Sequence, residues 1–269
     1  MRVRLFATVC CLTVVAGTAF AQTSSPPAFE AFEVATIKPT PPDWTKGRYI
    51  RMLSAHQLEA KNHALKTLLA AAYNLSPQAI FGVPEWGDAE HYDILAKTPG
   101  EVRPNLDEQM TMMRRLLTDR FGLVFHREWK EMPVYALTVA KGGPKLKETA
   151  ITPEASPEGP PALAFVIAPD RVSLPARSAT IGEFASVLQR AAMNRPVIDQ
   201  TGITGRYDFD LDWLPDDTQF GGLGLKPNPD APKPDLWAAL QQQLGLKLEA
   251  TKGQVETLVV DRYKPPSEN

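Results

Sequence analysis

Asp208, Asp210 and Asp212 alternate with Tyr207, Phe209, Leu211 and Trp213. A strand sends successive side chains to opposite faces, so this spacing puts three carboxylates on one face and the apolar residues on the other. Such a row could bind calcium or act as an acid/base pair in a hydrolase. Period-2 alternation is equally the signature of a half-buried strand with a solvated outer face, which is the reading adopted here. An earlier, similar stretch has only Asp93 in register, with Leu95 and Lys97 in the other two places.

The other candidates for chemistry are thinner. His56, His63, His91 and His126 are the only histidines, and no two have the i, i+4 spacing of a zinc-binding helix. There is no Gly-x-Ser-x-Gly elbow, and Lys97-Thr98-Pro99-Gly100 fails as a Lys-Thr-Gly motif because proline replaces glycine. Lys141-Gly142-Gly143-Pro144-Lys145 lacks the Gly-Lys-Ser/Thr ending of a phosphate loop, and Pro144 has no N–H to offer. Turn chemistry explains it better. His126-Arg127-Glu128-Trp129-Lys130-Glu131 reads as a charged hairpin turn carrying an exposed Trp129, a residue type enriched at binding hot spots. No catalytic residue, metal-ligand set or cofactor motif is therefore assigned. The candidate binding residues are Asp208, Asp210, Asp212 and Trp129.

The elements that would position them come in two rounds. Leu58-Glu59-Ala60-Lys61-Asn62-His63-Ala64-Leu65 recurs as Leu174-Pro175-Ala176-Arg177-Ser178-Ala179-Thr180-Ile181. Leu117 with Phe121-Gly122-Leu123 recurs as Leu240 with Leu244-Gly245-Leu246. The offsets are 116 for Leu58 to Leu174, 115 for Tyr92 to Tyr207 and 123 for Leu117 to Leu240. Matched order and spacing argue for an internal duplication. The second copy's extra length falls in the Gly/Pro/Asp-rich stretch 216–234, which reads as an irregular insertion.

Each copy is expected to run ββ-α-ββ-α-ββ. In the first, hairpin segments at 49–52 and 57–60 precede a helix striped by Leu65, Leu68, Leu69 and Ala72, with Asn62 placed to cap it. A second stripe, Met110, Met113, Leu116, Leu117 and Phe121, stops at Gly122, and segments 123–128 and 134–140 make a closing hairpin. In the second copy Thr180 and Glu183 have capping-box spacing, and Leu236, Leu240 and Leu244 lead to Gly245. Short connections favour antiparallel sheets with helices on one face, an α+β fold. The expected division is a signal peptide at 1–21, a leader and first strand at 22–47, and repeat one at 48–141. A Pro/Gly-rich linker at 142–162, repeat two at 163–264 and a tail at 265–269 complete it.

Arg2 and Arg4, an apolar run from Leu5 to Phe20, and Ala19-Phe20-Ala21 have the layout of a secretory signal cleaved near Ala21. The run is shorter than the ~20 residues of a spanning helix. Cleavage would remove Cys10 and Cys11, the chain's two cysteines, and so any disulfide or thiolate. It would leave 27 basic against 31 acidic residues, a formal charge of −4, which argues against a nucleic-acid partner. No membrane span is expected after removal of the signal. The expected destination is the periplasm or the exterior, and the expected state a monomer.

Several motifs occur together in order: Phe32-Glu33-Val34-Ala35-Thr36-Ile37-Lys38-Pro39, Leu116-Leu117-Thr118-Asp119-Arg120-Phe121, Pro133-Val134-Tyr135-Ala136-Leu137, Lys141-Gly142-Gly143-Pro144-Lys145-Leu146, Gly202-Ile203-Thr204-Gly205-Arg206-Tyr207-Asp208-Phe209 and Lys264-Pro265-Pro266-Ser267-Glu268-Asn269. The chain resembles, on these motifs, a soil-associated family of exported bacterial proteins defined by a domain of unknown function. The resemblance implies export and carries no catalytic residue. Related domains attached to β-lactam-receptor-type sensor metallopeptidases imply a link to envelope sensing, but this chain lacks their zinc motif. At fold level the repeated unit is also similar to small N-terminal domains of secretins and TonB-dependent receptors. The expectation is a non-enzymatic module that binds an envelope protein or glycan. The alternative is a hydrolase using Asp208 or Asp210 on cell-wall or polysaccharide substrates.

Overall fold

The computed structural model describes residues 29–150, 162–168, 171–221 and 233–266; the expected signal peptide and cleavage site lie outside them. The first round of elements is β1 (Val34–Pro39), β2 (Tyr49–Ser54), β3 (Gln57–Ala64), α1 (Leu65–Tyr73), β4 (Ile80–Phe81), α2 (Trp86–Ala89), β5 (His91–Lys97), α3 (Leu106–Phe121) and β6 (Val124–Val139). The second is β7 (Lys147–Glu148), β8 (Val166–Ala168), β9 (Arg171–Ala179), α4 (Ile181–Val187), β10 (Val197–Asp199), β11 (Tyr207–Trp213), α5 (Leu236–Ala239) and β12 (Leu246–Arg262). α4 and α5 each continue into one wider turn, Leu188–Ala192 and Leu240–Leu244. The class is α+β, as the residue pattern predicts.

The strands form three four-stranded sheets. The first runs β1-β5-β3-β2 and the third β7-β11-β9-β8, so the two outer sheets have the same order position for position. The central sheet, β10-β6-β12-β4, draws on both rounds. β6 and β12 pair antiparallel from Val124 to Val139 against Leu246 to Arg262. β10 adds parallel to β6, and β4 adds parallel to β12. Each round thus lends its short strand to the other round's long one.

This pairing corrects the expected closing hairpins. Segments 123–128 and 134–140 are parts of one strand, and so are 246–248 and 258–260. The charged stretch His126–Glu131 lies mid-strand, where its residues alternate between the faces of a ribbon whose partner is the other round's last strand. Pro133 is tolerated there for a definite reason. Tyr135 donates its N–H outward to the Pro196 carbonyl, so residues two apart in β6 also turn their N–H outward. Pro133 therefore costs the ribbon no hydrogen bond. A second correction concerns the linker, which contains β7, hydrogen-bonded to Tyr207 and Asp208 as the edge of the third sheet.

Two cores result. One gathers Leu58, Leu65, Leu69, Ile94, Leu117 and Phe121 under the first sheet, with Leu258 and Val260 from β12. The other gathers Leu174, Phe184, Leu188, Leu211, Trp213 and Leu240, with Leu137 from β6. Each core borrows from the opposite round through the central ribbon. Helix ends follow local chemistry. Thr180 and Glu183 form the expected capping box, and Asn105 with Glu108 forms another on α3. Gly122 and Gly245 are left-handed stops, with φ 56° and 66°.

Asn62 does not cap α1, whose N-cap is Ala64 and carries no side-chain bond. It sits instead at a bulge in β3 with φ 59°, and Ser178 occupies the matching place in β9 with φ 54°. Asn tolerates left-handed backbone better than most residues, and a bulge leaves one N–H without a ladder partner. That N–H needs an acceptor from elsewhere.

Candidate functional site

The acceptors are aspartates. Asp93 Oδ1 takes the Asn62 N–H at 3.1 Å, and Asp208 Oδ1 takes the Ser178 N–H at 2.8 Å. Asp208 is thus the counterpart of Asp93 and holds a bulge that both rounds share. Around Asp93 the network also includes Lys61 Nζ at 2.6 Å and the Thr40 hydroxyl at 2.8 Å. Partial burial would raise the Asp93 pKa, but the bonds from Lys61, Thr40 and the Asn62 N–H outweigh it and hold the carboxyl below its ordinary value.

The rest of the carboxylate row is occupied separately. Phe209, Leu211 and Trp213 point into the core and the three aspartates point away from it, as the alternation predicts. Asp210 meets Arg177 at 2.8 Å on the surface. Asp212 accepts from the Ser173 hydroxyl and has Lys233 at 3.5 Å; the Ser173 bond is the main reason its pKa lies below the usual range. Three carboxylates on one face are tied to three different partners. Among the described residues no group of three or more His, Asp or Glu is placed to hold a metal.

Trp129 has a different setting. It is 68% exposed in the middle of β6, opposite Glu256 of β12. Glu256 accepts from Arg127 at 2.9 Å, and the Arg127 guanidinium lies 5.6 Å from the Tyr73 ring, which packs edge-on against Phe125. Lys130 stands 4.3 Å over the half-exposed ring of Phe81 and pairs with Glu128 at 2.7 Å. The flanking charges are thus fixed by neighbours while the indole is uncovered. β10 pairs with β6 only over Tyr135–Leu137, so the outer edge beside Trp129 has no strand partner among the described residues. Rigid aromatic surface and open backbone edge occur together here, which is what strand addition by an extended segment requires.

Two residues that no motif marked complete the picture. His63 is 7% exposed; its Nδ1 meets the Thr67 hydroxyl at 3.1 Å, and its Nε2 has no hydrogen-bond partner. Burial, assisted by the nearby Arg48 charge, pulls its pKa down to about 3. Arg48 is itself partly buried, and desolvation lowers its pKa. An arginine in the loop before β2 has no sequence signature of partial burial, because its neighbour Gly221 is distant in the chain.

No helix among the described residues is long and apolar enough to cross a membrane. Comparison with the curated proteins and with the solved structures gives no match. A family model matches residues 66–263, which spans both rounds, and the chain belongs to that family, described as a protein of unknown function, DUF3738.

Proposed function

We propose that this chain is an exported, non-enzymatic interaction module of the cell envelope that engages its partner through the central ribbon at Trp129. The observation carrying this reading is an uncovered tryptophan on a long paired strand, next to an edge with no strand partner among the described residues. Aromatic residues fixed on a rigid scaffold bind at low entropic cost and dominate the energetics of many interfaces. The fixed pairs Arg127–Glu256 and Lys130–Glu128 would form the polar rim. Either partner class, protein or glycan, is compatible with export; the open edge favours an extended polypeptide, since it offers main-chain hydrogen bonds. Export itself is supported by the positive start, apolar run and Ala19-Phe20-Ala21 site.

A carboxylate hydrolase would need two carboxyl groups facing one reacting bond. Asp208 serves a backbone N–H and Asp210 an exposed arginine, so this geometry supports the binding reading instead. The test is binding of the mature protein to envelope fractions, comparing wild type with Trp129→Ala. Loss of a specific partner in the variant, with an unchanged circular dichroism spectrum, is the expected result. Equal retention by both proteins would move the interface elsewhere.

A further inference from the structure

The open stretch of the β6 edge has a sequence that complements itself. β12 pairs with β6 on one side, and β10 covers the other side only from Tyr135 onward. This leaves the outer side of Val124 to Val134 without a strand partner among the described residues, with Trp129 at the centre of the stretch. Reading outward from Trp129, Glu128 and Lys130 come first, then Arg127 and Glu131. Equidistant positions thus carry opposite charges twice over. A strand laid antiparallel against its own copy about a twofold axis pairs equidistant positions of this kind.

The backbone offers hydrogen bonds in step with that pattern. Tyr135 turns its N–H away from β12, and so do the residues in phase with it, Glu131, Trp129, Arg127 and Phe125. With a second copy antiparallel about Trp129, the two Trp129 residues would exchange both main-chain hydrogen bonds. Arg127 would do the same with Glu131 of the second copy. Pro133 would end the ladder, because it faces Phe125 of the second copy and has no N–H to return. β10 begins just beyond that point, so the second copy's β6 would lie end to end with β10 along one edge.

Charge on an edge strand ordinarily deters pairing. Here the order of the signs admits one partner. Glu131 is exposed and has no ion pair among the described residues, and Arg127 keeps its side chain half-exposed beside Glu256. Each would meet the other across the twofold, on the face that carries Trp129. On the opposite face the Glu128–Lys130 pair would meet its own reverse and close a ring of alternating charges. Other alignments lose this. A twofold through Glu128 or Lys130 sets that charge against its own copy, and a parallel alignment in register sets every charge against its like. The equivalent edge of β12 is not self-complementary, since Lys252 stands in the place of Trp129 with Thr251 and Gly253 beside it.

We propose that a second copy of this chain pairs with the outer edge of β6, antiparallel about Trp129, and joins the two central sheets into one. The pairing rests on the reading of Trp129 and its edge as an interface, and it names an occupant for that interface. An envelope polypeptide that adds a strand there would have to displace the second copy, so self-pairing would regulate access to the edge. The expected monomer would then be the form whose edge is free.

The experiment is sedimentation equilibrium of the mature protein over a series of concentrations, with the folding of every variant checked by circular dichroism. Wild type is expected to form a dimer. Glu131→Arg would set arginines together on both sides of the twofold and should weaken the dimer at least tenfold; Arg127→Glu should do the same with glutamates. An equimolar mixture of the two variants should associate within about threefold of wild type, because opposite charges meet again in the heterodimer. Wild type that stays monomeric at every concentration would overturn the proposal. So would variants that dimerise as tightly as wild type, or a mixture no tighter than either variant alone. The wild-type and Glu131→Arg results stand even where Arg127→Glu does not fold. Failure here stays distinct from failure of the underlying reading: Glu131→Arg should keep an envelope partner that Trp129→Ala loses, since the second copy alone supplies the facing Arg127.

Discussion

At the scale of single residues, buried polarity governs the response to acid. His63 has an ordinary pKa of 6.5 and about 3 in the fold, so between those values the unfolded chain takes a proton that the folded chain refuses. Stability is then full above pH 6.5 and falls as the pH drops through the window, by up to about 1.4 kcal/mol for each pH unit. Asp93, whose pKa is lowered in the fold, adds a further loss that begins as the pH falls through its ordinary value of 3.8 and is complete below its folded value. Melting temperatures of wild type from pH 7 to pH 5 should decline, and those of His63→Gln should decline less steeply. The aspartates separate in the same way. Asp208→Ala leaves the Ser178 N–H without its acceptor and should cost about 1–3 kcal/mol in urea unfolding. Asp210→Ala removes an exposed ion pair and should cost less than about 1 kcal/mol. The alternation that put these carboxylates on one face was readable from residue types. Their separate partners were not, because Ser173, Arg177 and Ser178 reach them through strand pairing. The Asn62 position shows the same limit: its proximity to a helix start favours a cap, while the bulge it occupies is set by the neighbouring strand.

At the scale of elements, apolar periodicity was legible and strand partners were not. The stripes of α1, α3 and α4 appear where Leu, Met and Phe repeat at helical spacing, and both glycine stops stand where expected. Local pattern predicts two hairpins in place of the ribbon because its charged middle, His126 to Glu131, looks like a turn when a local partner is assumed. The true partner lies more than a hundred residues away, and local spacing holds no record of it. Close backbone approaches at the ends of the ribbon make a sharp test. A methyl on Gly82 would collide with the Val260 carbonyl, and one on Gly245 with the Gly143 carbonyl, both at positive φ. Gly82→Ala and Gly245→Ala should each destabilise by more than about 2 kcal/mol. Gly202→Ala, at φ 67° with open space around it, should pay only the left-handed backbone penalty of about 1–2 kcal/mol. Chemical denaturation of the three variants would rank them.

At the scale of the whole molecule, the two rounds are interlocked by exchange of their short strands. β4 of the first pairs with β12, β10 of the second pairs with β6, and each core contains residues of the other round. Fragments 48–141 and 163–264 should each fail to fold alone, whereas the intact chain should unfold in one transition; two independent transitions, or two folded fragments, would contradict the interlock. The matching sheet orders give this arrangement an approximate internal symmetry, and Trp129 breaks it, since the offset of 123 that relates Leu117 to Leu240 places Lys252 at the corresponding position. A uniquely placed, uncovered indole on a shared, rigid ribbon is the centre of the functional account. Its most direct test is equilibrium binding of wild-type and Trp129→Ala protein to envelope components, with folding checked for both. The account predicts a specific partner whose affinity falls at least tenfold in the variant, a loss of about 1.4 kcal/mol or more. Unchanged affinity in Trp129→Ala would contradict it.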